Sequence, residues 1–276
     1  MRDALRKHWP EYLMEASELG FYMICGCLFP ILLYHPGSPV VGALPSAFAR
    51  RVLMGLVTGL TLVGIVFSPW GKQSGAHMNP ALTLTYYLMG KVAPWDAVFY
   101  VIAQFVGAVI GVGITVVFLG KLLAHPAVHY ASTVPGPAGA GAAFFGEALI
   151  SFILFIVVLR VSNTPGIARF TGMFAGACVA AFFVFEAPLS GMSMNPARTL
   201  GTAVLPGIWT ALWVYFLAPP LGMLTAAATY KSLKLPIACA KLHHQNSKRC
   251  IFCQYRNAKS APNQMTPAAT APLPET

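Results

Sequence analysis

Long apolar runs separated by short polar clusters dominate the pattern of this chain. A helix needs about 20 mostly apolar residues to cross the hydrocarbon core of a bilayer. Six runs reach that range: 11–34, 48–68, 95–119, 141–160, 169–187 and 208–230. Two shorter runs remain, 79–90 and 195–205, and each starts at Asn-Pro. At about 12 residues or fewer they are too short to cross as helices. The pattern predicts an all-α membrane protein with six transmembrane helices and two re-entrant half-helices.

The two short runs are near copies. Ser74-Gly75-Ala76-His77-Met78-Asn79-Pro80-Ala81-Leu82-Thr83-Leu84 and Ser190-Gly191-Met192-Ser193-Met194-Asn195-Pro196-Ala197-Arg198-Thr199-Leu200 lie 116 residues apart. Glu15-Ala16 in the first span is echoed by Glu147-Ala148 in the fourth. Each half therefore holds three spans and one half-helix, over about 11–119 and 141–230. Three is odd, so the halves face opposite ways. Inverted repeats with broken helices meeting at the midplane are an architecture of transport.

Composition narrows the reading. Of 276 residues, 57% are hydrophobic and 9% charged, against about 25% charged in an average soluble domain. The net charge of +10 is concentrated in the tail, where Lys231, Lys234, Lys241, Lys248, Arg249, Arg256 and Lys259 face one acid, Glu275. With both termini in the cytoplasm, these seven join Arg2, Arg6, Lys7, Lys72, Lys91, Arg160 and Arg169 inside, leaving Arg50, Arg51 and Lys121 outside. That asymmetry predicts cytoplasmic termini. The domain reading is a cytoplasmic N-terminus at 1–10, a channel-like domain at 11–230 and a basic cytoplasmic tail at 231–276. A basic tail beside membrane spans reads as a retention signal rather than a nucleic-acid site. No cleavable signal peptide is visible, and the expected location is a bacterial inner membrane.

The Asn-Pro-Ala pairs supply the candidate chemistry. Asparagine is a good N-cap and proline suits the first helical position. Asn79-Pro80-Ala81 and Asn195-Pro196-Ala197 are thus expected to start half-helices that point their N-termini at each other. Each N-terminus carries roughly half a positive elementary charge, which repels cations at the middle of a pore. The two asparagine amides can donate to a passing water and turn it so that it breaks a proton-conducting chain.

At this point residues 11–230 resemble the aquaporin (major intrinsic protein) family. The resemblance rests on both Asn-Pro-Ala motifs, Ser-Gly-Ala-His before the first, Arg198 after the second, and Glu15 and Glu147. It implies an aquaporin-like hourglass, assembled as a homotetramer with one pore per subunit. It also implies a selectivity filter of Thr58, Phe183, Met192 and Arg198, with Thr58 resting on the alignment of Gly59-Leu60. Water-selective members typically place Phe and His on the helices with a small loop residue, and glycerol facilitators place Trp, Gly and Phe; this set matches neither. Thr199, Ala203, Tyr215 and Phe216 look like the water-channel branch. Loop support is expected from Glu15, Glu147 and His77. Glu18 is not explained by the family pattern and is expected to face the first re-entrant loop or the cytoplasmic end; Glu186, four residues before Ser190, is expected near the outer mouth, its role open.

The tail departs from the family. Cys239, His243, His244, Cys250 and Cys253 offer a Cys3His set, and the C-x2-C pair has zinc-site spacing. His244 is preferred over His243 as the fourth ligand, and free thiols or acylation of Cys239 are the competing readings. Conduction needs no cofactor; the zinc would be structural. Residues 260–276 are rich in Pro, Ala and Thr and are expected to be disordered.

The expectation is a passive channel conducting water down osmotic gradients while excluding protons and ions. A broader facilitator of glycerol, ammonia or hydrogen peroxide is the alternative, and a non-conducting structural membrane protein the third. The partners are water, small uncharged solutes, the lipid bilayer and copies of the chain, with no nucleic acid. No nucleophile–base set or phosphate loop points to an enzyme.

Overall fold

The computed structural model describes residues 1–260. The stretch expected to be disordered lies, from residue 261 onward, outside them. Among the described residues there are twelve α-helices and no strand. In chain order these are α1 (Arg2–Tyr34), α2 (Pro39–Ala43), α3 (Ala47–Phe67), α4 (Pro69–Ser74), α5 (Pro80–Leu88) and α6 (Pro94–Leu123). The second half follows with α7 (Gly139–Ser162), α8 (Thr171–Phe185), α9 (Ala187–Ser190), α10 (Pro196–Val204) and α11 (Leu212–Ser232), and α12 (Ile251–Ser260) closes the tail. Helices α1, α3, α6, α7 and α11, and α8 together with the short turn before it (Ala168–Phe185), are long and apolar enough to cross a membrane. The half-helices are α5 and α10.

Helices α1 with α6, α7 with α11, and α3 with α8 form the main packing pairs. Close approach depends on small residues. A Cβ added to Gly107 would lie 2.1 Å from the carbonyl oxygen of Ala16, and one on Gly222 2.2 Å from that of Ala148. The residues after the two echoed glutamates thus meet a glycine in each half. Such small-residue contacts are how helices associate where lipid offers no hydrophobic drive.

The outer surface carries exposed Leu13, Phe21, Leu60, Phe118, Phe145, Phe185 and Leu217, a face suited to acyl chains. All five tryptophans are exposed: Trp9, Trp70 and Trp95 at the end where α1 begins and α11 ends, Trp213 at the start of α11 and Trp209 just before it. Tryptophan at both rims is the usual anchor at the two water interfaces.

Two boundaries differ from the sequence reading. Helix α1 begins at Arg2 rather than near residue 11. Its first turns are polar, yet they pack on protein: His8 Nδ1 lies 2.8 Å from Asp96 Oδ1, and the Tyr12 hydroxyl donates to the same oxygen at 2.6 Å. Hydropathy alone does not register such contacts. The tail also holds a helix, α12, packed under the pore end instead of trailing from it.

Candidate functional site: the re-entrant loops and the pore

Each re-entrant loop is a strained turn held by one buried carboxylate. In the first loop Gly75, Ala76 and Met78 have φ of 103°, 54° and 47°; in the second Gly191, Met192 and Met194 have 81°, 53° and 55°. For a residue with a Cβ the left-handed region costs roughly 1–2 kcal/mol. Hydrogen bonds offset that cost. Glu15 accepts from the amides of His77 and Met78 at 2.8 and 2.7 Å. Glu147 accepts from those of Ser193 and Met194 at 2.7 and 2.6 Å.

The surroundings repeat as well. Tyr100 donates to the carbonyl of Ser74 at 2.8 Å, and Tyr215 to that of Ser190 at 2.6 Å. Ser190 donates to Glu147, whereas Ser74 donates to Glu18. Glu18 is therefore a second carboxylate under the first loop. Glu186 lies buried at the C-terminal cap of α8. Tyr100 escaped the sequence reading, although its 115-residue offset from Tyr215 was a usable signal.

Asn79 and Asn195 sit where the halves meet. The Asn79 side-chain oxygen accepts from the Ala81 amide at 2.9 Å, and the Asn195 oxygen from the Ala197 amide at 3.0 Å. Both half-helices then start at proline. The asparagines also reach across: Asn79 Nδ2 donates to Met194 O and Asn195 Nδ2 to Met78 O, each at 2.7 Å. A primary amide has two N–H donors. One is spent on the opposite loop, which leaves the other for the lumen.

A void of about 90 Å³ is lined by both asparagines. Thr58, Phe183, Met192 and Arg198 line it, as do His77 and three residues not picked out from the sequence, Tyr22, Ala131 and Leu242. Arg198 Nη1 is buried with no hydrogen-bond acceptor among the described residues. His77 Nδ1 lies 3.0 Å from Thr83 Oγ1, and Nε2 lies 2.9 Å from the carbonyl oxygen of Ala240. A carbonyl can only accept, so Nε2 carries the proton and Nδ1 accepts.

The sequence profile of the family described as Major intrinsic protein matches residues 9–230. The chain belongs to that family. This major intrinsic protein is 36% identical over 214 residues to Aquaporin NIP3-1 of Zea mays, spanning 75% of this chain and 67% of the relative. It is also 36% identical over 177 residues to Glycerol uptake facilitator protein-like 6 of Lactiplantibacillus plantarum, spanning 63% of this chain and 81% of that protein. Among solved structures, the aquaglyceroporin from Plasmodium falciparum superposes with a TM-score of 0.68 at 19% identity, covering 83% of this chain and 97% of that one. That last match concerns the fold. Family and helices together make this an integral membrane protein of a channel family, not an enzyme.

Beyond the family region, the tail of this major intrinsic protein gathers its sulfurs. Cys239 Sγ lies 3.4 Å from Cys250 Sγ and 3.7 Å from Cys253 Sγ, and His244 Nε2 lies 3.1 Å from Cys253 Sγ. All four donor atoms fall within 4.8 Å of one another. Tetrahedral zinc with Zn–S near 2.3 Å would place its sulfurs about 3.8 Å apart, so the set fits with small adjustments. His243 is outside this group; its ring packs on Phe67. The hydrogen bond from Cys239 holds the Cys250 thiol below its ordinary range, with nearby Lys241 adding to the effect. Burial pushes the Lys241 ammonium down, while the adjacent thiols oppose that shift.

Proposed function

We propose that this chain is a passive channel with water as its principal solute and with protons and other ions excluded. The observation that carries the reading is the reciprocal pair of asparagines at facing half-helix N-termini. Two N-terminal ends put positive potential at the middle of the void, which opposes any cation there. The spare Asn79 and Asn195 donors orient a passing water away from its neighbours. Arg198 adds a fixed charge and a free donor at the Thr58, Phe183 and Met192 constriction. Glu15 and Glu147 keep the loops in place and do not touch the solute, while His77 braces its loop from the wall of the void.

A broader facilitator of small neutral solutes is the second reading. It is favoured by the filter, which has no histidine, and by a relative named as a glycerol uptake facilitator. The test is stopped-flow shrinkage of proteoliposomes, with sucrose and then glycerol as osmolyte, run with and without a zinc chelator. Fast water flow with slow glycerol entry supports the first reading, and comparable entry of both supports the second. Water flow equal to that of empty liposomes under every metal condition refutes a channel.

The domain scheme is kept as part of this proposal, with α1 extending through residues 1–10 into the cytoplasm. The charge asymmetry supports cytoplasmic termini, and the assembly proposed is a homotetramer. Similar chains from maize and rice count against assigning the membrane to a bacterium, and the location proposed is a membrane bordering a reducing cytosol. For the cluster of Cys239, His244, Cys250 and Cys253 the metal proposed is zinc, structural and outside the conduction step.

A further inference from the structure

We infer that residues 239–253 form a zinc-held gate across the pore mouth at the end carrying both termini: the metal keeps Leu242 in the lumen, and its loss lets Leu242 leave. The inference rests on the void being the conducting path and on the cluster taking zinc.

The segment enters the mouth. Leu242 is 3% exposed and shares the wall of the void with Asn79 and Leu82. Its amide donates to the Gly75 carbonyl at 3.1 Å, inside the first re-entrant loop. Two residues earlier, the Ala240 carbonyl accepts a hydrogen bond from Nε2 of the pore-lining His77. The Phe252 ring then stacks on His77, centroids 5.1 Å apart and planes 3° from parallel. A leucine at a constriction offers water no partner, and such apolar narrowings close by dewetting. The Lys241 ammonium, one residue earlier in the chain, is buried on the Lys72 and Arg249 carbonyls.

The segment is stitched around the rim. Lys91 Nζ donates to the Ile237 carbonyl at 2.7 Å, and Asn163 Oδ1 accepts from the Ala238 amide at 2.6 Å. Lys241 Nζ donates to the Lys72 carbonyl at 2.7 Å. Arg249 grips the buried Glu11 carboxylate with Nε at 3.1 Å and Nη2 at 2.9 Å. Four separate parts of the channel therefore hold one stretch of tail across the opening.

The metal matters because residues 235–250 contain no helix or strand of their own. Cys239 and His244 stand directly on either side of the inserted residues 240–243, while Cys250 and Cys253 stand at the start of α12. A tetrahedral ion on these four ligands would fix both ends of the plug to the helix that carries Phe252. The thiol protons displaced on binding go to solvent. Without the ion, the plug keeps its hydrogen bonds, the Arg249–Glu11 ion pair and the Phe252–His77 stack, but its two ends are not tied to each other by coordination.

The experiment uses the full chain in liposomes, with zinc measured by elemental analysis and water flow by stopped-flow light scattering. Zinc-loaded wild type should hold about one ion per chain and conduct slowly. A chelator should raise flow several-fold, and added zinc should lower it again. Leu242→Ala should conduct fast while keeping its zinc, and Cys250→Ser with Cys253→Ser should conduct fast without it. Bound zinc with equal flow before and after chelation overturns the gate and leaves the metal site standing. Absence of zinc from intact protein prepared without chelators overturns both. No flow above empty liposomes in chelated protein and in Leu242→Ala overturns the channel reading beneath them.

Discussion

Glu147→Leu removes the acceptor of two backbone amides and one hydroxyl in the second re-entrant loop. Leucine is similar in bulk, so what changes is the hydrogen bonding. A buried donor left without a partner costs about 1–3 kcal/mol. The orphaned amides of Ser193 and Met194 should therefore cost about 2–6 kcal/mol, before any movement of Ser190. A chain of this size loses about 2–4 °C of melting temperature per kcal/mol, so the fall should be on the order of 10 °C. Glu147→Gln keeps one carbonyl oxygen and should lose roughly half as much, on the order of 5 °C. The assay is thermal unfolding of detergent-purified protein followed by intrinsic fluorescence. If the glutamine variant falls as far as the leucine variant, negative charge rather than orphaned donors sets the cost. If neither variant moves by more than about a degree, the carboxylate does not hold the loop.

Arg198→Val should let larger or charged solutes through, because the fixed cation and its free donor leave the constriction; an unchanged ion and proton leak would count against the filter assignment. Phe183→Ala should raise glycerol entry several-fold in the same liposomes, and an unaltered glycerol rate would remove Phe183 from the constriction. Gly107→Val should destabilise by about 1–3 kcal/mol or more through overpacking of α1 on α6; a normal melting temperature would contradict the close contact with Ala16. Arg249→Met leaves buried Glu11 without its ion pair and should free the tail, read as faster trypsin cleavage between α11 and α12. Cleavage at the wild-type rate would mean that the clamp on Glu11 does not hold the tail.

The six spans and both half-helices were legible because each is a local property of apolar run length. The inversion of the halves was legible for the same reason, from a repeat written twice in the chain. What could not be read were contacts between residues distant in sequence. His8 and Tyr12 extend α1 because Asp96 waits 84 or more positions away. Leu242 looks like an ordinary tail residue until it is found against Gly75. Glu18, unexplained by the family pattern, finds its role only once Ser74 is placed. In the tail, spacing brought Cys239, Cys250 and Cys253 to attention, but only folding separates His244 from His243. The filter positions carried over from the family, Thr58, Phe183, Met192 and Arg198, do share one void.

The crossed asparagines also constrain how this protein is made. Asn79 leaves the ribosome long before Met194, whose carbonyl it binds, and Asn195 must travel back to Met78. A nascent first half can insert its three spans and form α5. Its Asn79 amide and its Met78 carbonyl must then wait, in or near lipid, for a segment 115 or more residues downstream. An unpartnered polar group there costs several kcal/mol. The first half is therefore an unfinished intermediate that waits for its counterpart. Ribosome stalling or truncation between residues 119 and 194 should leave a product that membrane quality control recognises. The same pairing lets two separately synthesised halves seek each other out, so co-expression of the halves should restore what either lacks alone.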